Sequence, residues 1–361
     1  MDELPARPHR GRGAVSNPAG RHEKESRHAV DDGWGEAEGD LEPLPTVVTD
    51  ERVKSVISRN ASPDLPFNRS VNPYRGCEHG CIYCYARPSH AWLGLSPGLD
   101  FETRLFAKPE APEVLEKELR NPRYRPETIL VGANTDPYQP LERRRRITRR
   151  VIEVLAAFNH PLAIATKSNL VLRDLDILAP MAERRLLSVG ISITTLDRTL
   201  ARRLEPRAPT PERRLDAISR LSAAGIPVTL LVSPVIPFLT DAEVERIVEA
   251  GAGAGARAAN FTLLRLPREL TDLFAEWLET HAPGKAKHVL NQLRESRDGG
   301  LNDARFGTRM RGTGSHAELL GERFRLARKR LGLRGPYEDG YGLDTTLFRP
   351  PPRVGDQGEL F

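Results

Sequence analysis

Between residues 128 and 280 the chain alternates short β-rich runs with stretches of helical spacing, and this rhythm leaves few folds open to it. Thr128–Gly132, Pro161–Lys167, Leu187–Thr194, Ile226–Ile236 and Ala258–Leu266 read as strands. Ile147–Phe158, Leu172–Arg185, Pro211–Ala224, Asp241–Ala250 and Glu269–Thr280 read as helices. Thr210 precedes Pro211 as a helix cap, and Gly225 supplies a stop. A βαβα succession demands a parallel sheet with helices outside, either open or closed into a barrel. In such folds chemistry gathers at the carboxyl ends of the strands. An α/β core over residues 65–270 follows, with a helical C-terminal extension over 271–348. Residues 1–47 are rich in Pro, Gly, Arg and acids and poor in aliphatics, which predicts a disordered N-terminal tail. Residues 349–361, opening Arg349-Pro350-Pro351-Pro352, read as a Pro-rich tail.

The chain contains three cysteines, Cys77, Cys81 and Cys84, all within Arg75-Gly76-Cys77-Glu78-His79-Gly80-Cys81-Ile82-Tyr83-Cys84-Tyr85. A CxxxCxxC loop offers three thiolates and no fourth. A [4Fe–4S] cluster normally takes four cysteines, one per iron, so three leave one iron open to a ligand. The competing reading is a structural zinc completed by His79 or His90, in a nucleic-acid-binding protein without catalysis. Zinc modules usually pair two short-spaced couples, and no second couple is present. Three cysteines at metal spacing, together with an N-terminus lacking an apolar core, point to a reducing compartment, the cytoplasm. No apolar run reaches the roughly 18 residues of a membrane span. The net charge of +5 fits either an arginine-heavy composition or a polyanionic partner.

With the aromatic Tyr83 just before the last cysteine, the loop resembles the signature of the radical S-adenosylmethionine (SAM) superfamily. The longer run Asn72-Pro73-Tyr74-Arg75-Gly76-Cys77 through Cys84-Tyr85-Ala86-Arg87 resembles the branch related to spore photoproduct lyase, the DNA-repair-photolyase-like radical proteins. The resemblance implies a partial (β/α)6 TIM-like barrel holding a [4Fe–4S] cluster on Cys77, Cys81 and Cys84. It further implies S-adenosyl-L-methionine chelating the open iron and its reductive cleavage to a 5′-deoxyadenosyl radical that takes hydrogen from substrate. A lyase-like reaction, a reductant such as flavodoxin or ferredoxin, and a nucleic-acid lesion as substrate are the further implications.

The resemblance also nominates residues for the cosubstrate. Thr135 and Asp136, in the loop after the first clear strand, match positions facing the methionine amino group, with Glu142 further along; a plain turn capped by Asp136 is the other reading. Lys167 ends a strand, where a lysine can offer a point charge to a carboxylate, and it matches a family lysine with that role. Ser192 shares a strand face with Thr194 by alternation, and it matches a serine used for the ribose or methionine portion. Arg207, in Glu205-Pro206-Arg207 with Arg213-Arg214 behind it, matches an Arg-Pro element; a cosubstrate carboxylate, a substrate phosphate or a helix-entry salt bridge are its readings. Spore photoproduct lyase donates hydrogen from an extra cysteine near the loop matching Ala133–Asp136, and this chain has none there. Tyr85, Tyr138 and Tyr74 are the phenols that could substitute, or else they pack and stack. The run Arg143–Arg146 reads as a solvated helix face, with Glu142 and Arg146 at i,i+4 spacing, or as an attractor of polyanions. Arg305–Gly314 reads as a nucleic-acid contact or as a cover for the cluster.

Overall fold

A computed structural model of the chain describes residues 7–23, 43–335 and 342–352. Its strands are β1 (Val47–Asp50), β2 (Ile57–Arg59), β3 (Arg69–Val71), β4 (Tyr74–Arg75), β5 (Arg104–Ala107), β6 (Ile129–Val131), β7 (Leu162–Thr166), β8 (Leu187–Ser192), β9 (Val228–Val235) and β10 (Ala258–Leu263). Seven of them form one open sheet in the order β10-β9-β8-β7-β6-β3-β2. From β3 to β10 every neighbouring pair is parallel, and β2 adds an antiparallel edge. The fold is therefore α/β with a mixed sheet. A second sheet, β1-β5-β4, stands beside it and leads into the cysteine loop.

The central strands are apolar on both faces, as a sheet covered by helices requires: β6 is wholly buried, and so is β7 apart from Ala165. The expected helices appear as Ile147–Ala157, Pro211–Ala223, Val244–Gly253 and Leu270–His281. Each turns an apolar stripe inward, the first through Ile147, Val151, Ile152 and Leu155. The expected helix Leu172–Arg185 is instead a 3₁₀ segment, Asn169–Asp174, followed by an α-helix, Leu175–Glu183. Ser168 accepts the N–H of Leu170 and so starts the turn early. The pattern also hid the helix Arg198–Leu204, which starts where the Asp197 carboxylate accepts the N–H groups of Thr199 and Leu200.

The terminal expectations need correction. Residues 7–23 of the supposed disordered tail are held in place, with Ala14 and Val15 almost fully buried, and Val47 belongs to β1. Their anchors are backbone amides and polar side chains meeting buried partners, so a count of aliphatics misses them. The C-terminal extension is not helical throughout: between Pro283–Glu295 and Gly314–Arg330 the chain runs without α-helix. Arg297 pins that stretch by donating to the carbonyls of Leu263, Leu264 and Arg309. Residues 342–352 pack as irregular chain. Phe348 packs at a tilt against Tyr124 and Phe158 and edge-on to His160, Arg349 N–H donates to the Phe158 carbonyl, and Arg120 donates to the Pro351 carbonyl at 2.8 Å. The remainder of both expected tails, 1–6, 24–42 and 353–361, lies outside the described residues, as does 336–341.

His160 sits fully buried at this docking point, its Nε2 2.7 Å from the Tyr124 hydroxyl and its Nδ1 3.0 Å from the Pro161 carbonyl. Burial pushes its pKa down to about 4, against about 6.5 in an unfolded chain. Below pH 6.5 the unfolded state takes up a proton that the native state refuses, so stability falls with pH across that window. The thermal unfolding midpoint should drop between pH 6.5 and 4, and His160→Gln should drop less over the same interval.

Candidate active site

The cysteine loop leaves β4 through Gly76 and turns again at Gly80, both at positive φ (73° and 67°). A Cβ on Gly76 would sit 2.6 Å from a Leu105 methyl and 2.8 Å from the Phe101 carbonyl, so the chain here needs glycine for space as well as conformation. Successive tight turns follow, with Gly80 N–H on Cys77 O, Cys84 N–H on Cys81 O and Arg87 N–H on Cys84 O. Two outside bonds fix the loop: Cys77 N–H donates to Phe101 O and Ile82 N–H to Leu204 O, each at 3.0 Å. From the sheet side, Thr135 Oγ1 donates to Gly76 O at 2.6 Å, while Gln139 takes the Glu78 N–H at 2.8 Å.

All three cysteines are free thiols, Cys77 and Cys81 buried and Cys84 half-buried. Burial pushes each thiol up, with the Asp136 carboxylate adding to Cys77 and the Glu205 carboxylate to Cys81. A sulfur-only donor set that resists ionisation by itself is suited to a metal group that stabilises thiolates. Among the described residues no three His, Cys, Asp or Glu side chains are drawn together around one ion, the three cysteines included, and the two histidines named for a zinc lie against other groups. His79 Nδ1 lies 3.3 Å from Asp136, and His90 Nε2 lies 3.0 Å from the Arg104 carbonyl.

The polar residues expected at the strand ends fall into two groups. Asp136, after β6, is a brace. Its carboxylate accepts Thr166 Oγ1 at 2.6 Å, Lys167 N–H at 2.8 Å and Tyr138 N–H at 2.9 Å. Burial alone would raise its pKa, but His79 and the Thr166 and Lys167 bonds outweigh burial and hold it at about 2. The second group lies after β7 and β8. Lys167 Nζ donates to Ser192 Oγ at 2.6 Å, lies 3.8 Å from Glu205 and 5.7 Å from the Tyr83 ring centre. Ser192 donates onward to Ser233 O at 3.0 Å. Glu205, at the end of the helix Arg198–Leu204, gathers the Tyr83 hydroxyl, Thr194 Oγ1 and the Arg214 guanidinium in full burial. Desolvation opposes its charge, yet Arg214 and Lys167 prevail and hold its pKa at about 2. The alternation argument thus puts Ser192 and Thr194 on one polar network with Tyr83 and Lys167.

Other expectations separate from that network. Arg207 pairs with Glu78 at 3.2 Å and reaches Thr46 Oγ1 at 3.3 Å, so it faces the outer flank of the cysteine loop. Glu142 does not pair with Arg146. It is fully buried and accepts Tyr74 OH, Thr148 N–H, Arg149 N–H and Arg173, while Arg146 breaks the arginine run at φ 52°. Tyr74 and Tyr138 are scaffold phenols, bonded to Glu142 and Asp174. Tyr85 differs: its ring is 53% exposed, its hydroxyl donates to Ala133 O, and the Arg265 guanidinium lies over it at 5.8 Å. The basic loop 305–314 is anchored on Asp64, which accepts Gly307 N–H and Arg309, each at 2.7 Å. Sequence reasoning placed Glu205 and Arg214 only beside a helix start and passed over Gln139, Arg87 and Glu102. The signal for the first pair was an acid and an arginine bracketing a short helix entry; a lone glutamine or glutamate carries none.

The radical SAM superfamily model matches residues 71–251, the stretch from β3 through the helix Val244–Gly253. The chain belongs to the radical SAM superfamily. An uncharacterized protein of Mycobacterium tuberculosis is 41% identical over 221 residues, covering 61% of this chain and 65% of the relative. An uncharacterized protein of Methanocaldococcus jannaschii is 30% identical over 174 residues, 48% of this chain and 62% of that one. This radical SAM chain therefore spans somewhat under two thirds of the length of the curated relatives it matches. Among solved structures, spore photoproduct lyase complexed with dinucleoside spore photoproduct superposes with a TM-score of 0.58 at 15% identity, covering 79% of this chain and 80% of that one. That likeness establishes a shared fold.

Glu205 and Arg214 form a buried ion pair, and removing one partner strands the other charge. Arg214→Met should lower unfolding free energy by about 3–5 kcal/mol, read as a fall in the denaturant midpoint of the metal-free protein.

Proposed function

We propose that this protein is a radical SAM enzyme carrying a [4Fe–4S] cluster on Cys77, Cys81 and Cys84, in a sheet curved as a partial (β/α)6 TIM-like barrel. The observation that carries the reading is the placement of three free thiols on one glycine-hinged loop that Thr135 and Gln139 tie to the carboxyl end of the parallel sheet. When bound, the cluster and S-adenosylmethionine supply the electron and the C–S bond whose cleavage yields a 5′-deoxyadenosyl radical.

The chain's own residues do the positioning. Lys167 Nζ spends one hydrogen bond on Ser192 and keeps donors for a carboxylate, the charge the methionine end of the cosubstrate carries. Ser192 donates to Ser233 O and accepts from Lys167, which leaves one of its two lone pairs for a donor of the cosubstrate. Tyr83 is fixed by Glu205 and lends an apolar ring beside the ammonium. Asp136 sets the direction of Lys167 through its backbone, and Thr135 sets the height of the cysteine loop. Arg207 holds Glu78 against the outer flank, an alternative to the cosubstrate contact expected of it. No fourth cysteine exists to return hydrogen, and the exposed phenol of Tyr85 is the group we assign to the substrate side. The substrate reading is a nucleic-acid lesion, supported by the basic charge and by the fold shared with a lyase complexed with a dinucleoside photoproduct. Flavodoxin or ferredoxin is the reductant class, in the reducing cytoplasm that suits free thiols.

Anaerobic reconstitution should load about four irons and four sulfides per chain, and dithionite with S-adenosylmethionine should release 5′-deoxyadenosine; Cys81→Ala should do neither. A colourless protein holding only zinc would overturn the assignment. Lys167→Ala removes a charge-assisted bond and should weaken S-adenosylmethionine binding by about 10- to 100-fold in calorimetry on reconstituted protein. Deuterium transfer from labelled DNA or RNA into 5′-deoxyadenosine tests the substrate class.

A further inference from the structure

The N-terminal segment 12–20 lies against the outer side of the cysteine loop in a track shaped for it. The Glu102 carboxylate, fully buried, accepts the N–H groups of Gly13 and Ala14 at 2.9 and 2.8 Å. The same carboxylate pairs with Arg87, whose guanidinium donates to the carbonyls of Gly80 and Cys81 inside the loop. Two N–H groups of the segment and two carbonyls of the loop therefore meet on one ion pair. Arg12 donates to Glu102 O at 3.1 Å, Leu44 O at 2.5 Å and Thr46 Oγ1 at 3.1 Å, fastening the segment at its start. Ser16 donates to Glu276 at 2.6 Å, and Asn17 exchanges bonds with Asp100.

The approach is backbone on backbone. A Cβ on Gly13 would collide with the Gly80 carbonyl oxygen, one on Gly80 would lie 2.5 Å from Glu102, and one on Gly98 would collide with Ser16 O. Ala14 joins the same apolar cluster as Cys81, Ile82 and Tyr83. Such contact leaves no room for water between segment and loop. Nothing in the cosubstrate network of Lys167 and Ser192 calls for it.

We propose that residues 12–18 are a strap that closes the outer face of the cysteine loop, with Glu102 and Arg87 as positioning residues, so that cluster lifetime in the presence of oxygen depends on it. This rests on the cluster assignment above. Seated, the strap holds Gly80–Ile82 in the turn that presents Cys81 and keeps solvent from its back. Unseated, the Glu102 carboxylate loses the N–H groups of Gly13 and Ala14, its pair with Arg87 is left less supported, and the loop opens more often.

The test compares the parent with Gly13→Val, which cannot seat, and with the milder Arg12→Ala, both checked for native far-ultraviolet circular dichroism. In the iron-free proteins, amide hydrogen exchange over residues 77–84 should be at least about tenfold faster in Gly13→Val, since local opening governs exchange. After anaerobic reconstitution, the cluster absorbance of Gly13→Val in air should bleach several-fold faster than the parent's, with Arg12→Ala between them. Exchange within twofold of the parent in both variants overturns the strap, whether or not the parent binds iron. Faster exchange with equal bleaching also overturns it, because the loop would then open without consequence for the cluster. A parent that takes up no iron overturns the cluster assignment instead, and the exchange result then stands alone as a statement about the loop. Should Gly13→Val fail to fold, Arg12→Ala and Ser16→Ala carry the same two measurements.

Discussion

The Arg87 guanidinium has no solvent exposure, and all of its donors are engaged. It bonds Cys81 O, Gly80 O, Pro97 O, Gly98 O and the Glu102 carboxylate. A guanidinium offers five N–H donors in a rigid fork, and here they tie three stretches of chain, at Gly80–Cys81, Pro97–Gly98 and Glu102, to a single point. A buried ion pair of this kind adds little net stability compared with a well-packed apolar core, but it is costly to break. Its value lies in geometry: four carbonyls and a carboxylate can meet around one side chain only in one arrangement. The cysteine loop takes its turn at Gly80–Cys81 from that arrangement, while Ile82 and Tyr83 seat it by apolar packing.

A second buried carboxylate works on the opposite flank. Glu205 gathers Tyr83, Thr194 and Arg214 and stands near Lys167. The last cysteine turn is thus held through Tyr83 on one side, as the middle turn is held through Arg87 and Glu102 on the other. Both carboxylates come from short helical segments, Asp100–Thr103 and the end of Arg198–Leu204. Neither segment has the length to be stable alone, so each is fixed by what its acid binds. Local structure and site geometry are therefore the same set of bonds seen from two ends.

The sheet was legible because burial on both faces writes itself as apolar runs, and the helices because Ile147, Val151 and Leu155 recur at helical spacing. The three cysteines announced themselves by spacing alone. Lys167 and Ser192 were marked by the family resemblance together with their strand positions, and their side chains are hydrogen-bonded to each other. What stayed hidden shares one physical character: long-range polar contact. Glu142 looked like the partner of Arg146 four residues on, but its partners come from Tyr74 and Arg173, far along the chain. Residues 7–23 looked unfoldable because their burial is achieved by amide-to-carboxylate bonds and glycine-on-glycine approach, which composition does not register. Phe348 likewise gave no sign that it would meet His160 edge to face.

The bond between Ser16 and Glu276 joins positions 260 residues apart. Through that bond and the Glu102 carboxylate, one short segment touches both the cysteine loop's support and the helix Leu270–His281. A break in that helix would therefore be felt behind Cys81, which shares an apolar cluster with Ala14 and Phe274 although no helix residue belongs to the cysteine loop.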